Sequence, residues 1–298
     1  MKIGLALGSG SSRGWSHLGV IRSLEKIGIF PDVVCGTSIG ALVGASYVSN
    51  KLFELEKWIH SLTKFELAKF YNINPTTNGF VNIEKLRNQL YQCIAPKDAL
   101  IEEAKIKYAS VATELNTGRE IWFKKGLFID AVLSSISLPG LFQPHLQNNK
   151  WFVDGGLVNP VPVSVCRALG ADFVIVVNLN SDIVGKHFKT SNSWKKNTQA
   201  ESHELNISKY INKYRQSLPK TKSIKVPSFF ETIAGSINIT QDRITKSRMV
   251  GDPPDILLSP KLSQIGLLDF HRAKEAIAEG EACVKRASDE LEFFLGAK

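Results

Sequence analysis

Along the chain, short apolar runs alternate with stretches of helical period. Lys2–Leu7 is such a run and ends in Gly8-Ser9-Gly10-Ser11-Ser12-Arg13-Gly14. After it Trp15, Leu18, Ile21, Leu24 and Ile27 recur at helical spacing until Gly28 stops them, so this stretch predicts strand, loop and helix. The same order repeats at once. Pro31–Gly36 predicts a second strand, running through Thr37-Ser38-Ile39-Gly40 into small apolar residues, Ala41 to Ser49, that suit a tightly packed helix. Leu52–Leu100 reads as mainly helical with a turn at Pro75–Gly79. Ile106–Thr113 and Glu120–Phe123 are β-like around an Asn116-Thr117-Gly118 turn. Ile129–Ser137 is a helix ending before Pro139-Gly140, and Trp151–Val153 is a strand ending at Asp154-Gly155-Gly156. Val163–Leu169 is helical, Phe173–Leu179 is a buried strand, Ile256–Ser259 is a short one, and Asp269–Leu295 reads as one long amphipathic helix.

Strands alternating with helices through short loops predict an α/β fold with a largely parallel central sheet covered on both faces. The 298 residues suffice for one large domain or two small ones, and 43% hydrophobic with 22% charged residues is ordinary globular composition. The one break, at about Ser181–Pro227, is rich in Lys, Asn and Ser and reads as a mobile excursion from the fold. It also holds the charge. Lys186–Lys225 carries ten Lys/Arg and two Glu, a net +8, so of the total +9 only +1 belongs to the remaining residues.

Other function classes drop out on composition. No window approaches the ~18 apolar residues of a membrane span, and the N-terminus shows no cleavage-site pattern. Cys35, Cys93, Cys166 and Cys283 are scattered without a CxxC pair, which argues against zinc and against a disulfide framework and fits buried free thiols in a reducing cytoplasm. No metal and no organic cofactor is expected. The basic stretch lacks the regular aromatic interleaving that single-stranded nucleic acid uses. A solvated loop and a peripheral, salt-sensitive tether to an anionic membrane surface both fit it, the latter placing the protein at the inner face of the membrane.

Three motifs carry chemistry. Gly36-Thr37-Ser38-Ile39-Gly40 is a G-x-S-x-G sequence between strand and helix. There a serine stands out of the sheet on a strained turn, and the following helix directs its N-terminal dipole at the site. A tight turn chosen for packing alone is the other reading. The Gly8–Gly14 loop offers unhindered backbone N–H groups, suiting either a phosphate cradle or an oxyanion hole. It lacks the dinucleotide spacing, because Arg13 stands where that fingerprint needs glycine, and no Gly-Lys-Ser/Thr follows. Asp154-Gly155-Gly156 places a carboxylate at a strand end with two glycines that permit close approach, although Asp-Gly pairs also simply form turns. Among the histidines, His145 is the one rival base for a serine; His17 reads as a surface or packing residue.

In this order the Gly8–Gly14 loop, the Gly36–Gly40 elbow and Asp154-Gly155-Gly156 resemble the patatin-like phospholipases, relatives of neuropathy target esterase, in particular their small bacterial branch. The Ser134–Pro144 approach to the Asp strand shares the likeness, which covers about Ile3–Cys166, and Gln241–Pro260 and Asp269-Phe270 extend it. Ser9 stands where many members have glycine. The resemblance implies a three-layer α/β/α sandwich with a catalytic core over residues 3–166. Residues 167–298 would complete the sheet and end in the long helix. It implies Ser38 as nucleophile, Asp154 as its base without a histidine, and Gly8, Ser9, Gly10 and Ser11 as the oxyanion hole. The substrate implied is a fatty acyl ester or phospholipid, its acyl chain between the Leu52–Leu100 region and Ile129–Phe142. A thioesterase or protein deacylase with the same dyad, and a non-catalytic module binding an anionic ligand at the glycine loop, remain as alternatives.

Overall fold

Alternate residues of the apolar runs face opposite ways, and in the computed structural model, which describes residues 1–68, 70, 81–183 and 229–296, both faces are buried. The strands are β1 (Ile3–Leu7), β2 (Val33–Thr37), β3 (Lys107–Glu114), β4 (Glu120–Phe123), β5 (His145–Gln147), β6 (Lys150–Asp154), β7 (Phe173–Val177) and β8 (Ile256–Leu258). They form one sheet in the order β5-β6-β3-β2-β1-β7-β8, with β4 paired to β3 off that path. The β8-β7-β1-β2-β3 run is parallel; β4 and β6 are antiparallel to β3, and β5 to β6.

The helices are α1 (Ser16–Lys26), α2 (Ile39–Val48), α3 (Leu52–Ser61), α4 (Lys64–Ala68), α5 (Ile83–Cys93), α6 (Phe128–Ile136), α7 (Val163–Ala168), α8 (Phe229–Gly251), α9 (Ala273–Arg286) and α10 (Ser288–Gly296). Leu5 and Leu7 of β1 and Ile175 and Val177 of β7 join one cluster with residues of α1, α2, α5, α6 and α9. Ala6, Val174 and Val176 join the other with Val163, Val165 and Cys166 of α7, against which Met249 of α8 packs. This is the three-layer α/β/α sandwich, and the continuous apolar β1 and β7 are what a sheet covered on both sides requires. All four cysteines are buried and unpaired.

Two elements escape the periodicity. Lys150–Asp154 is half of a hairpin whose other half is β5, turned at Asn148 and Asn149 with φ of 50° and 59°. Two consecutive left-handed residues are the requirement of a tight type I′ connection, which asparagine tolerates. The second is α8, 23 residues long, in which apolar and polar positions are mixed. One expectation is corrected. The chain's end is not one long helix from Asp269 to Leu295. A 3₁₀ turn at Phe270–Arg272 leads into α9, and a break at Ala287 separates it from α10. The charges mark that break, since Lys285 and Arg286 end one helix and Asp289 and Glu290 begin the next, each complementing the helix dipole. From α10, Phe294 turns back onto Phe173 of β7, with ring centroids 4.7 Å apart.

The Pro75–Gly79 turn and the Lys186–Lys225 segment lie outside the described residues. Of the Ser181–Pro227 excursion only residues 181–183 are described, as a turn. Among the described residues no helix is long and apolar enough to cross a membrane.

Candidate active site

The register of β3 brings two distant residues together. Val111 of β3 pairs with Thr37, the last residue of β2, and the next residue, Ala112, pairs with Asp154, the last residue of β6. Because β4 occupies the opposite edge at both positions, β6 takes over the edge that β2 leaves. Ser38, one residue beyond Thr37, therefore meets Asp154 directly. Ser38 Oγ donates a 2.5 Å hydrogen bond to Asp154 Oδ2.

Ser38 has φ 56° and ψ −123°, a conformation that strains a residue with a side chain by about 1–3 kcal/mol. The surroundings hold it. Its amide donates to Ser135 Oγ at 2.8 Å, whose hydroxyl in turn donates to the Val111 carbonyl at 2.5 Å. The elbow also needs bare backbone. A Cβ on Gly40 would lie 2.1 Å from the Leu7 carbonyl oxygen, and one on Gly36 would lie 2.3 Å from the Gly40 carbonyl oxygen. From Ile39 to Ser46, α2 is buried on every side, so its N-terminus is fixed against the sheet.

Asp154 is equally constrained. Its amide donates to the Ser137 carbonyl at 3.0 Å, its carbonyl accepts from Thr113 Oγ1 at 2.9 Å, and its Oδ1 accepts from the Gly156 amide at 2.7 Å. Gly155 lets this strand end approach β3, since a Cβ there would sit 2.1 Å from the Val111 carbonyl oxygen. Burial pushes the Asp154 carboxyl up from 3.8 to about 6, against the lowering effect of the Ser38 and Gly156 hydrogen bonds.

The glycine loop lies beside this pair, and its four amides are not equivalent. The Gly8 amide donates to the Val177 carbonyl at 3.0 Å and the Ser9 amide to the Pro160 carbonyl at 2.8 Å. The amides of Gly10 and Ser11 have no partner among the described residues, and both residues line the same cleft as Ser38 and Asp154. Below the loop, His17 is fully buried with Nε2 2.8 Å from the Gly8 carbonyl oxygen. Burial lowers its pKa to about 4, so it is neutral, and because a carbonyl only accepts, Nε2 carries the proton. His17 is thus a packing residue and a strut. Arg13 is 1% exposed, and burial lowers its pKa to about 9, which leaves it protonated at neutral pH. Its Nη1 and Nη2 donate to Asn180 Oδ1 at 3.3 Å and to Asn238 Oδ1 at 2.8 Å, and no carboxylate pairs with it among the described residues. Among the described residues, this charge is therefore met by neutral amide oxygens and not by a carboxylate.

The cleft above Ser38 takes in about 960 Å³ of space, the open solvent at its mouth included. Trp58, Leu62, Leu86, Ile136, Leu138 and Leu141 are among the apolar residues that line it. His145, the rival base, faces Asp130, with Nε2 3.5 Å from Oδ1, and Arg87 holds the same carboxylate at 3.1 Å. It does not line the cleft. Sequence reasoning missed Ser135, Asn180, Asn238 and Gln241. A signal for the last two existed, because Asn238, Gln241, Asp242 and Thr245 recur at helical spacing and all are buried, forming a polar stripe on α8. Among the described residues no cluster of His, Cys, Asp or Glu is suited to a metal ion.

A serine on a strand–helix elbow, hydrogen-bonded to a buried aspartate beside a glycine loop, defines an α/β protein with a Ser–Asp site. Residues 5–167 match the model of the patatin-like phospholipases, and the chain belongs to that family. It is similar to an NTE family protein of Mycobacterium tuberculosis, 27% identical over 334 aligned positions that cover 98% of this chain and 92% of that one. A lysophospholipase of Pyricularia oryzae is 26% identical over 93% of this chain, which matches 18% of that longer protein. The human patatin-like phospholipase domain-containing protein 6 is 30% identical over 60% of this chain and 13% of its own length. Among solved structures, VipD from Legionella pneumophila aligns over 98% of this chain and 76% of its own, with a TM-score of 0.35 at 11% identity.

Proposed function

We propose that the protein is a serine acyl hydrolase of lipid esters, of phospholipase or lysophospholipase type. The observation that carries this reading is the 2.5 Å Ser38–Asp154 hydrogen bond at the base of an apolar cleft. Ser38 Oγ attacks the ester carbonyl carbon as its proton passes to Asp154 Oδ2. The carbonyl oxygen becomes an oxyanion and turns to the Gly10 and Ser11 amides, with the Arg13 charge behind them. Collapse expels the alcohol, whose oxygen takes the proton back from Asp154, and leaves Ser38 acylated. A water then gives a proton to Asp154 and attacks the acyl carbon, releasing the fatty acid and restoring the Ser38 hydroxyl. An aspartate in water is a weak base; one lifted to about 6 lies closer to the working pH, where general bases are most effective. Of the four loop residues, the geometry favours Gly10 and Ser11 as the donors, because the Gly8 and Ser9 amides are occupied. The acyl chain lies along Trp58, Leu86 and Leu141, apolar side chains that line the cleft.

A fluorophosphonate probe should label the protein once, and Ser38→Ala should be unlabelled and inactive on fatty acyl esters. Labelling that persists in Ser38→Ala would refute the assignment. Lipid profiling with purified protein against that control then identifies the head group and chain length.

A further inference from the structure

The orientation of one side-chain amide at the site follows from a chain of hydrogen bonds. Arg13 can only donate, so the Asn180 atom facing it is the oxygen Oδ1, at 3.3 Å. The other end of that amide, Nδ2, faces the Ser9 carbonyl oxygen at 3.5 Å, which can only accept. Asn180 Nδ2 also lies 3.0 Å from the Gln241 side chain and donates to it, so the Gln241 atom there is Oε1; the Ser9 hydroxyl donates to the same oxygen at 3.1 Å. The Gln241 NH2 group is therefore turned the other way. Nε2 lies where a Cβ on Gly156 would be 2.3 Å from it, and that same Cβ would be 3.0 Å from Asp154 Oδ1. Gln241 lines the cleft, and Nε2 has no hydrogen-bond partner among the described residues.

We infer that Gln241 is a substrate-binding residue, whose Nε2 donates a hydrogen bond to an acceptor oxygen on the alcohol side of the ester. This rests on the Ser38–Asp154 reading above. The carbonyl oxygen points to the Gly10 and Ser11 amides, and the acyl chain occupies the apolar walls. The leaving oxygen must receive its proton from Asp154, so the alcohol portion lies on the Asp154–Gly156 side, where Nε2 is presented. The substrate class that fits carries a hydroxyl or phosphate oxygen close to the ester, as a glycerol-type alcohol does. Gln241 lies on α8, outside residues 5–167 that match the family model, so this contact is supplied from beyond the matched core.

The test compares 2-methoxyethyl and n-butyl esters of one fatty acid, alkyl alcohols of matched shape, of which the first carries an oxygen that can only accept and the second offers no acceptor beyond the ester itself. Gln241→Glu keeps an oxygen to accept from Ser9 and Asn180 but replaces the donor, whereas Gln241→Met removes both. In each variant the ratio of kcat/KM for the methoxyethyl ester to that for the butyl ester should fall by about tenfold, the effect of one lost hydrogen bond in a site built to make it. The ratio cancels any change in Asp154 or in the loop, because both substrates use them. An unchanged ratio in Gln241→Glu, with or without equal losses on both substrates in Gln241→Met, overturns the inference and leaves Gln241 as a brace for the loop. If Gln241→Met does not fold, Gln241→Glu decides alone. Failure of the underlying reading shows separately, as wild-type protein that neither takes up fluorophosphonate nor hydrolyses either ester.

Discussion

Replacing Asp154 with asparagine should inactivate the protein and stabilise it at the same time. The carboxyl is lifted from 3.8 to about 6 by burial, so at neutral pH the folded state holds a charge it would rather neutralise. A shift of about two units corresponds to ~3 kcal/mol. Because the folded pKa lies above the unfolded one, the native state binds the proton more tightly between pH 3.8 and about 6. Stability therefore falls as pH rises through that window, and the penalty is fully present above it. Asparagine removes the charge and keeps an oxygen for the Gly156 amide, which donates to Oδ1 at 2.7 Å. At pH 7.5 the variant should gain about 1–3 kcal/mol, roughly 2–6 °C in Tm for a protein of this size. Acylation should fall by ~10²–10⁴-fold with the loss of the general base. Thermal melts of both proteins at pH 7.5 and 4.5 supply the check, because the gap should narrow in acid as wild type takes up its proton. In wild type, kcat/KM should rise with pH through an apparent pKa near 6 and then level off. A variant less stable than wild type at pH 7.5, or a gap that ignores pH, would refute the claim that a buried charged Asp154 is the base.

Two further outcomes follow from residues outside that pair. His145→Ala should stay within about tenfold of wild-type activity, because the imidazole faces Asp130 and not Ser38; loss on the scale of a missing base, ~10²-fold or more, in an ester-hydrolysis assay would restore the histidine. The Lys186–Lys225 segment should make the protein co-sediment with anionic vesicles at low salt and release as ionic strength rises, each accessible cation contributing about 1 kcal/mol before screening; equal binding to neutral vesicles would return the segment to a solvated loop.

What could be read from the sequence and what could not divide along physical lines. The parallel strands were legible because burial on both faces writes continuous apolar runs such as Leu5-Ala6-Leu7 and Phe173–Val177. The Gly36–Gly40 elbow and the Asp154-Gly155-Gly156 turn were legible because close backbone approach leaves glycine as the residue that fits. The β5–β6 hairpin was not, since Asn148-Asn149 is a weaker turn signal than Asn-Gly and β5 has three residues. Helix α8 was not, because its inward face is partly polar. Asn238 and Gln241 point at Arg13, Ser9 and Asn180 rather than at an apolar core, so the hydrophobic period that reveals other helices is interrupted where the helix meets the site. The division of labour among the Gly8–Ser11 amides was equally out of reach. It depends on which carbonyls β7 and Pro160 bring against the loop, and those are contacts between segments more than 150 residues apart, fixed only by the sheet order.

On the proposed reading of Ser38 and Asp154, the sheet order also accounts for a serine site that works without a histidine. In a three-member triad the imidazole takes the proton and a carboxylate orients the imidazole, so an additional side chain must be held in register. Here the carboxylate contacts the hydroxyl directly, and its orientation comes from backbone instead: the Gly156 amide on Oδ1, with the strand itself fixed by the Ser137 carbonyl and Thr113 hydroxyl. That arrangement requires the two residues to sit within one hydrogen bond, which adjacent pairing on β3, Val111 with Thr37 and Ala112 with Asp154, provides without any long side chain to position. On that reading, direct contact demands a stronger base than a solvated aspartate, and burial of the Asp154 carboxyl, at a strand end that Gly155 lets lie against β3, raises its pKa. Geometry and basicity therefore come from a single feature of the fold, the burial of the β6 end against β3.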